Sequence, residues 1–194
     1  MPSFTYQPMT ELESVNLMLT TIGESPVSTL NVTGDLNVSV ARQMLYDVSR
    51  EVQTHGWYFN TETNYPLVRD VDNYITVPSN TLSIDLAKEL SYLDVVMRGT
   101  RLYDKENHTY VFDKDLKADI VLFLEWGMLP QSARQYITIV AARRFQRRLL
   151  GDDFTDSVTA EEELRAKAQL DDADAWERDY NMQDSLDVFE TLRR

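Results

Sequence analysis

The chain has 194 residues with 19 basic and 32 acidic side chains, a formal net charge of −13, two histidines and no cysteine. That length, with 43% hydrophobic residues, suits one good core or two interlocked domains and excludes a wholly disordered chain, while the missing cysteines exclude disulfides and thiolate zinc sites. The negative charge disfavours long-range attraction to nucleic acid, no apolar run approaches the roughly 20 residues of a membrane span, and Met1 to Tyr6 lacks signal-peptide blocks, so a soluble, unprocessed protein of a reducing compartment is expected.

Two amphipathic helices open the chain. The first runs from about Glu11 to Ile22, with capping-box spacing between Thr10 and Glu13 and a face made by Leu12, Val15, Leu19 and Ile22. Gly23 can adopt the left-handed conformation that stops it, and Pro26 then fixes the direction of exit. The second runs from about Leu36 to Thr54 with a stripe of Val38, Ala41, Leu45, Val48 and Val52, and should pack on the first. His55 and Gly56 close it.

From Trp57 to Trp126 β-branched and aromatic runs alternate with Pro, Asn, Asp and Gly, the punctuation of strands. Candidate strands are Trp57 to Thr63, Tyr74 to Val77, Leu93 to Met97, Arg101 to Tyr103, Thr109 to Phe112 and Ile120 to Trp126. Gly99 can turn the chain before Arg101, and Asp104 to His108 is polar enough for a hairpin tip. An antiparallel, meandering sheet is expected.

The helical period returns after Gly127, starting near Pro130 and ending at Gly151. Ala133, Tyr136, Ile137 and Val140 would be buried, but the same face continues into Arg144, Arg147 and Arg148 while Phe145 and Leu149 rotate away, which implies a change of neighbours midway. Thr159 and Glu162 have capping-box spacing that opens a long acidic helix to about Tyr180. One of its stripes carries Ala166, Leu170, Ala173, Trp176 and Tyr180, the other Leu164, Ala168 and Ala175; the second marks either a further partner or plain helix propensity. Asp184 to Arg194 presents Leu186, Val188, Phe189 and Leu192, a segment either frayed or docked on a partner. The fold class expected is therefore α+β: a helical bundle domain of about four helices (residues 1–56 and 127–183) with an inserted, mostly antiparallel β domain (57–126) and a docking tail (184–194).

Catalytic and ligand-binding patterns are scarce. His55 and His108 lie 53 positions apart without a second ligand at helical or hairpin spacing, and they read as a helix-end and a turn histidine. There is no Gly-rich phosphate loop and no Gly-x-Ser-x-Gly elbow. Asp171, Asp172 and Asp174 lack the glycine and terminal glutamate of a calcium loop and read as a solvated face. No catalytic, cofactor or metal residue is therefore assigned, although abundant carboxylates keep open a carboxylate-dependent hydrolase acting on cell-surface polysaccharide. Arg143, Arg144, Arg147 and Arg148 could contact DNA phosphates, pair with Glu161, Glu162 and Glu163 across the turn at Gly151, or pair with another subunit; pairing with carboxylates is favoured.

Val15 to Leu30, reading Val-Asn-Leu-Met-Leu-Thr-Thr-Ile-Gly-Glu-Ser-Pro-Val-Ser-Thr-Leu, resembles the N-terminal signature of the tail tubular protein A family, head-to-tail adaptors or gatekeepers of short-tailed bacteriophages. Arg50-Glu51-Val52-Gln53, Gly56-Trp57 and Phe59-Asn60 are similar to the family's helix-to-sheet junction. Leu129-Pro130, Tyr136, Ala141, Phe145-Gln146, Arg148 and Gly151 resemble its returning helix. The resemblance implies a non-enzymatic virion protein forming a ring of about twelve copies between the portal and the tail nozzle (tail tubular protein B), assembled in the host cytoplasm. Tail fibres would attach near the nozzle junction, and genomic DNA would pass through without sequence-specific binding. Subunit-interface residues expected on this basis are Arg143, Arg144, Arg147, Arg148, Leu164, Ala168 and Ala175, with Leu186, Val188, Phe189 and Leu192 docking a neighbouring component.

Overall fold

The computed structural model describes residues 7–31, 35–86, 93–151 and 153–183, with side chains of the last helix described from 160 to 178. It is an α+β fold whose chain divides into two compact units, Met1–Val52 with Glu125–Arg194, and Gln53–Leu124.

The first unit is helical. Helix α1 (Glu11–Thr21) begins with the full capping box: the Glu13 amide donates to Thr10 Oγ1 at 3.2 Å and the Thr10 amide to Glu13 Oε2 at 2.7 Å. It ends in a Schellman motif, in which the amides of Gly23 (φ +82°) and Glu24 donate to the carbonyls of Thr20 and Leu19. The Asn16 carboxamide then pins the exiting loop, accepting from the Val27 amide at 2.8 Å and donating to its carbonyl at 3.0 Å. Asp35 caps α2 (Leu36–Gln53), which buries Val38, Ala41, Leu45 and Val48.

A 3₁₀ turn (Trp126–Met128) leads into α3 (Gln131–Leu149), with Pro130 at the N-cap and not inside the helix. Helix α3 lies against α1 and against α4 (Asp153–Gln183). Its buried stripe of Ala133, Ile137, Ala141 and fully buried Phe145 is continuous at four-residue spacing. The expected midway change of neighbours, with Phe145 turning outward, is thus incorrect: the i, i+4 geometry keeps Phe145 on the core face, and the arginines after Arg143 flank it. Helix α4 starts at Asp153, so Thr159 lies within it and is not its cap. Trp176 is 75% exposed, which removes it from the buried stripe of Ala166 and Leu170.

The sequence signals missed the polar attachment of Met9. Arg134, only 7% exposed, donates to the carbonyls of Leu129 (2.8 Å), Gly127 (2.8 Å) and Met9 (3.0 Å); burial lowers its pKa. The Trp126 indole also donates to the Met9 carbonyl, and the Met9 amide to Gln131 Oε1. Thr138 Oγ1 lies 2.9 Å from Ser14 Oγ, a buried polar contact between α3 and α1.

Among the described residues the second unit holds two antiparallel sheets. One has the order β1 (Thr61–Leu67), β5 (Leu116–Leu122), β2 (Thr81–Leu86), and the other is the hairpin β3 (Val95–Arg98) and β4 (Arg101–Asp104). The expected meander is corrected for the larger sheet, because the last strand takes the centre. Strand β5 alternates cleanly, Leu116, Ala118 and Ile120 inward and Lys117 and Asp119 outward, and its inner face packs with Leu67, Ile75, Val77, Leu102 and Phe112. Thr81–Leu86, absent from the expected strands, is paired along β5, whereas Tyr74 to Thr76 and Thr109 to Val111 make isolated bridges. Gly99 (φ +63°) opens the two-residue turn between β3 and β4, and Asp104 organises the tip that follows by accepting from the amides of Glu106 and Asn107.

The first strand begins at Thr61 because Trp57–Asn60 is used otherwise. Gln53, fully buried, accepts from the Leu124 amide at 2.7 Å and donates to the Leu124 carbonyl at 3.1 Å. Buried Asn60 accepts from the Trp57 amide at 2.8 Å and donates to the carbonyls of Gln53 (2.9 Å) and Leu122 (2.8 Å). Together they bind the first and last residues of the second unit to each other. Asn60→Ala, which orphans buried backbone groups, should cost about 2 kcal/mol, read by hydrogen exchange as roughly thirtyfold faster loss of protection at the β5 amides. Unchanged protection there would show that the clasp is dispensable.

Candidate assembly surface

The expected interface residues occupy α3 and α4 of the helical unit. Arg143 is half-buried and its guanidinium donates to Glu163 at 2.8 Å, joining α3 to α4 as the reading of carboxylate pairing expects. Arg144 turns to a partner outside the acidic run. Its two terminal nitrogens meet both oxygens of Glu51 on α2 at 2.6 and 2.8 Å, a bidentate pair. The hydrogen bond from Arg144 holds the Glu51 carboxyl below the usual range and correspondingly raises Arg144. Tyr136, close to these charges, is pushed up chiefly by burial and then by Glu163.

Arg147 and Arg148 are exposed on the last turn of α3. Arg148 borders an open groove of about 230 Å³ lined also by Val40, Gln43, Met44 and Asp47 of α2. A second hollow of about 410 Å³ shares Gln43 and is lined by Leu30, Ser39, Arg42 and Tyr46. On α4, Leu164 is 72% exposed, and Ala168, Ala175 and Trp176 are exposed as well. At about 100° per residue, Leu164, Ala168 and Ala175 share one face, opposite buried Ala166 and Leu170. Two stripes therefore exist on this helix, and the outer one is unoccupied among the described residues. Leu186, Val188, Phe189 and Leu192 lie outside the described residues.

The His55 ring lies 4.6 Å from that of Trp57 at a tilt of 45°, and His108 is exposed with φ +51° in the Asp104–His108 tip. Asp171 bonds Lys167 and Asp174 bonds Arg178, each one turn apart on α4. Among the described residues no group of His, Asp and Glu could hold a metal ion, and no helix is long and apolar enough to cross a membrane.

Because Glu51 is held ionised by Arg144, its share of stability is full above the unfolded-state pKa of about 4.3 and is lost as pH falls through the lower folded value. The pair is partly exposed, so that share is below about 1 kcal/mol. Glu51→Gln should lower stability to urea at pH 7, and its deficit should shrink as both proteins are taken below about pH 4. A deficit independent of pH would attribute the effect to packing.

The family described as Tail tubular protein matches residues 12–180. A relative, Tail tubular protein A of Klebsiella phage KP34, is 29% identical over 163 residues, covering 84% of this chain and 85% of its own length. With the Asp35-capped α2, the Gln53–Asn60 junction and the returning α3 all inside the matched range, the chain belongs to the tail tubular protein family, the structural proteins of bacteriophage tails.

Proposed function

We propose that the chain is the ring-forming adaptor between portal and tail nozzle. The helical domain (1–56 and 127–183) makes the subunit contacts, the β domain (57–126) is inserted in its sequence, and residues 184–194 dock on a neighbouring component. The observation that carries this reading is the second, outward stripe of α4: Leu164, Ala168 and Ala175 form a helix face with nothing of the described chain against it. In a head-to-tail contact that face of one copy meets a different surface of the next, and repetition closes a ring of about twelve copies. The groove at Val40, Met44 and Arg148 is the receiving surface, with Arg147 and Arg148 facing the acidic flank of the incoming helix. Arg143 and Arg144 support this surface from within, each engaged by its own chain's carboxylate.

The net charge of −13 per subunit suits a passage through which DNA slides without adhering. The tail fibre attaches near the junction with the nozzle, and the role is structural, not enzymatic.

Electron microscopy and sedimentation of the protein, alone and mixed with its portal, test the reading. Wild type should form rings, and Leu164→Asp with Ala168→Asp should weaken association at least about tenfold while leaving the circular dichroism unchanged. Arg147→Glu with Arg148→Glu should weaken it as well. A wild-type protein that stays monomeric with its portal would defeat the proposal. Deletion of residues 184–194 should spare folding and ring formation but lower incorporation into particles; normal incorporation would refute docking by the tail.

A further inference from the structure

The hairpin β3–β4 places two like charges directly opposite each other. Arg98 and Arg101 are register partners across the Gly99–Thr100 turn, an arrangement that costs a hairpin stability when nothing compensates it. Neither makes an ion pair among the described residues, although the chain carries 32 carboxylates. Each guanidinium instead lies over an aromatic ring: Arg98 is 3.6 Å from the centre of the Tyr103 ring, and Arg101 4.8 Å from that of Tyr74. Tyr110 meets Tyr103 edge to face at 4.8 Å.

Alternation along the strands places these side chains together. Leu102 is fully buried and Met97 packs on the core, so Val96, Arg98, Arg101 and Tyr103 share the opposite face. Stacking uses the faces of the guanidinium groups and leaves their N–H edges free, held in place for bidentate contact with a planar anion. Arginine with tyrosine is also the composition of binding hot spots.

We infer that this surface receives carboxylates of a second copy of the chain, a receiving surface on the β unit in addition to the groove at Val40, Met44 and Arg148. The inference rests on the ring reading above. Charge complementarity selects the occupant. Glu162, Asp172 and Glu177 of α4 are exposed and make no ion pair among the described residues, so the chain carries both halves of the contact. A heterologous ring needs two such unlike patches on each subunit. A nucleic acid is the poorer occupant, since it would approach a molecule of charge −13.

The test is sedimentation velocity and electron microscopy under the conditions in which wild type forms rings. Arg98→Glu with Arg101→Glu should raise the concentration needed for association at least about tenfold, with unchanged circular dichroism, and Arg98→Lys with Arg101→Lys should fall between, since lysine keeps charge but not the planar fork. If the Glu variant assembles as wild type does, the inference fails while the ring stands. If wild type itself never assembles, both fail. Salt-sensitive retention on duplex DNA that the Glu variant loses would make nucleic acid the occupant and overturn the assignment.

Discussion

The second unit depends on two buried carboxamides. Gln53 and Asn60 each carry a donor and an acceptor on one short, uncharged group, which lets them close gaps between backbones that no ladder connects. Gln53 treats Leu124 as a strand would, satisfying both its amide and its carbonyl. Asn60 then ties the end of α2 to the end of β5. An inserted unit must bring its two ends together before its sheet can form, and loop closure is the entropic cost of doing so. Here that closure is held by directional bonds in a dry environment, where an unmade bond is expensive. Asn16 uses the same device on Val27 in the helical unit.

The arginines divide by what satisfies them. Arg143 and Arg144 are neutralised by carboxylates of other helices and brace α3 against α4 and α2. Arg134 is held, among the described residues, by backbone carbonyls. Arg98 and Arg101 rest on tyrosines. Four neighbouring arginines on one helix therefore do not amount to one basic surface. The placement of each charge, not the total, determines which faces remain for another molecule.

Local grammar was the legible part. Thr10, Glu13 and Gly23 specify the ends of α1 through bonds spanning three to five residues, and the Asp104–His108 tip is likewise built by its own residues. The strands were less legible, since strand placement depends on partners distant in the chain. Trp57 has the character of a strand residue, but Asn60 draws its amide into a turn, and β1 starts four residues later. Thr81–Leu86 became a strand by lying along β5, which is more than thirty residues away. The arginine cluster was visible, but Glu51 as its partner was not: a helix pairing across 93 positions leaves no local pattern. The outward stripe of α4 was readable from periodicity, whereas the exposure of Trp176 required the packed structure.

The attachment at Met9 has one further consequence. A guanidinium is already protonated and a backbone carbonyl takes up no proton in ordinary acid, so acid cannot release the Arg134 contacts directly. The Arg144–Glu51 tie, by contrast, opens once its carboxylate is neutralised. Acidification should then free this tie on α2 while Met9 remains latched to α3.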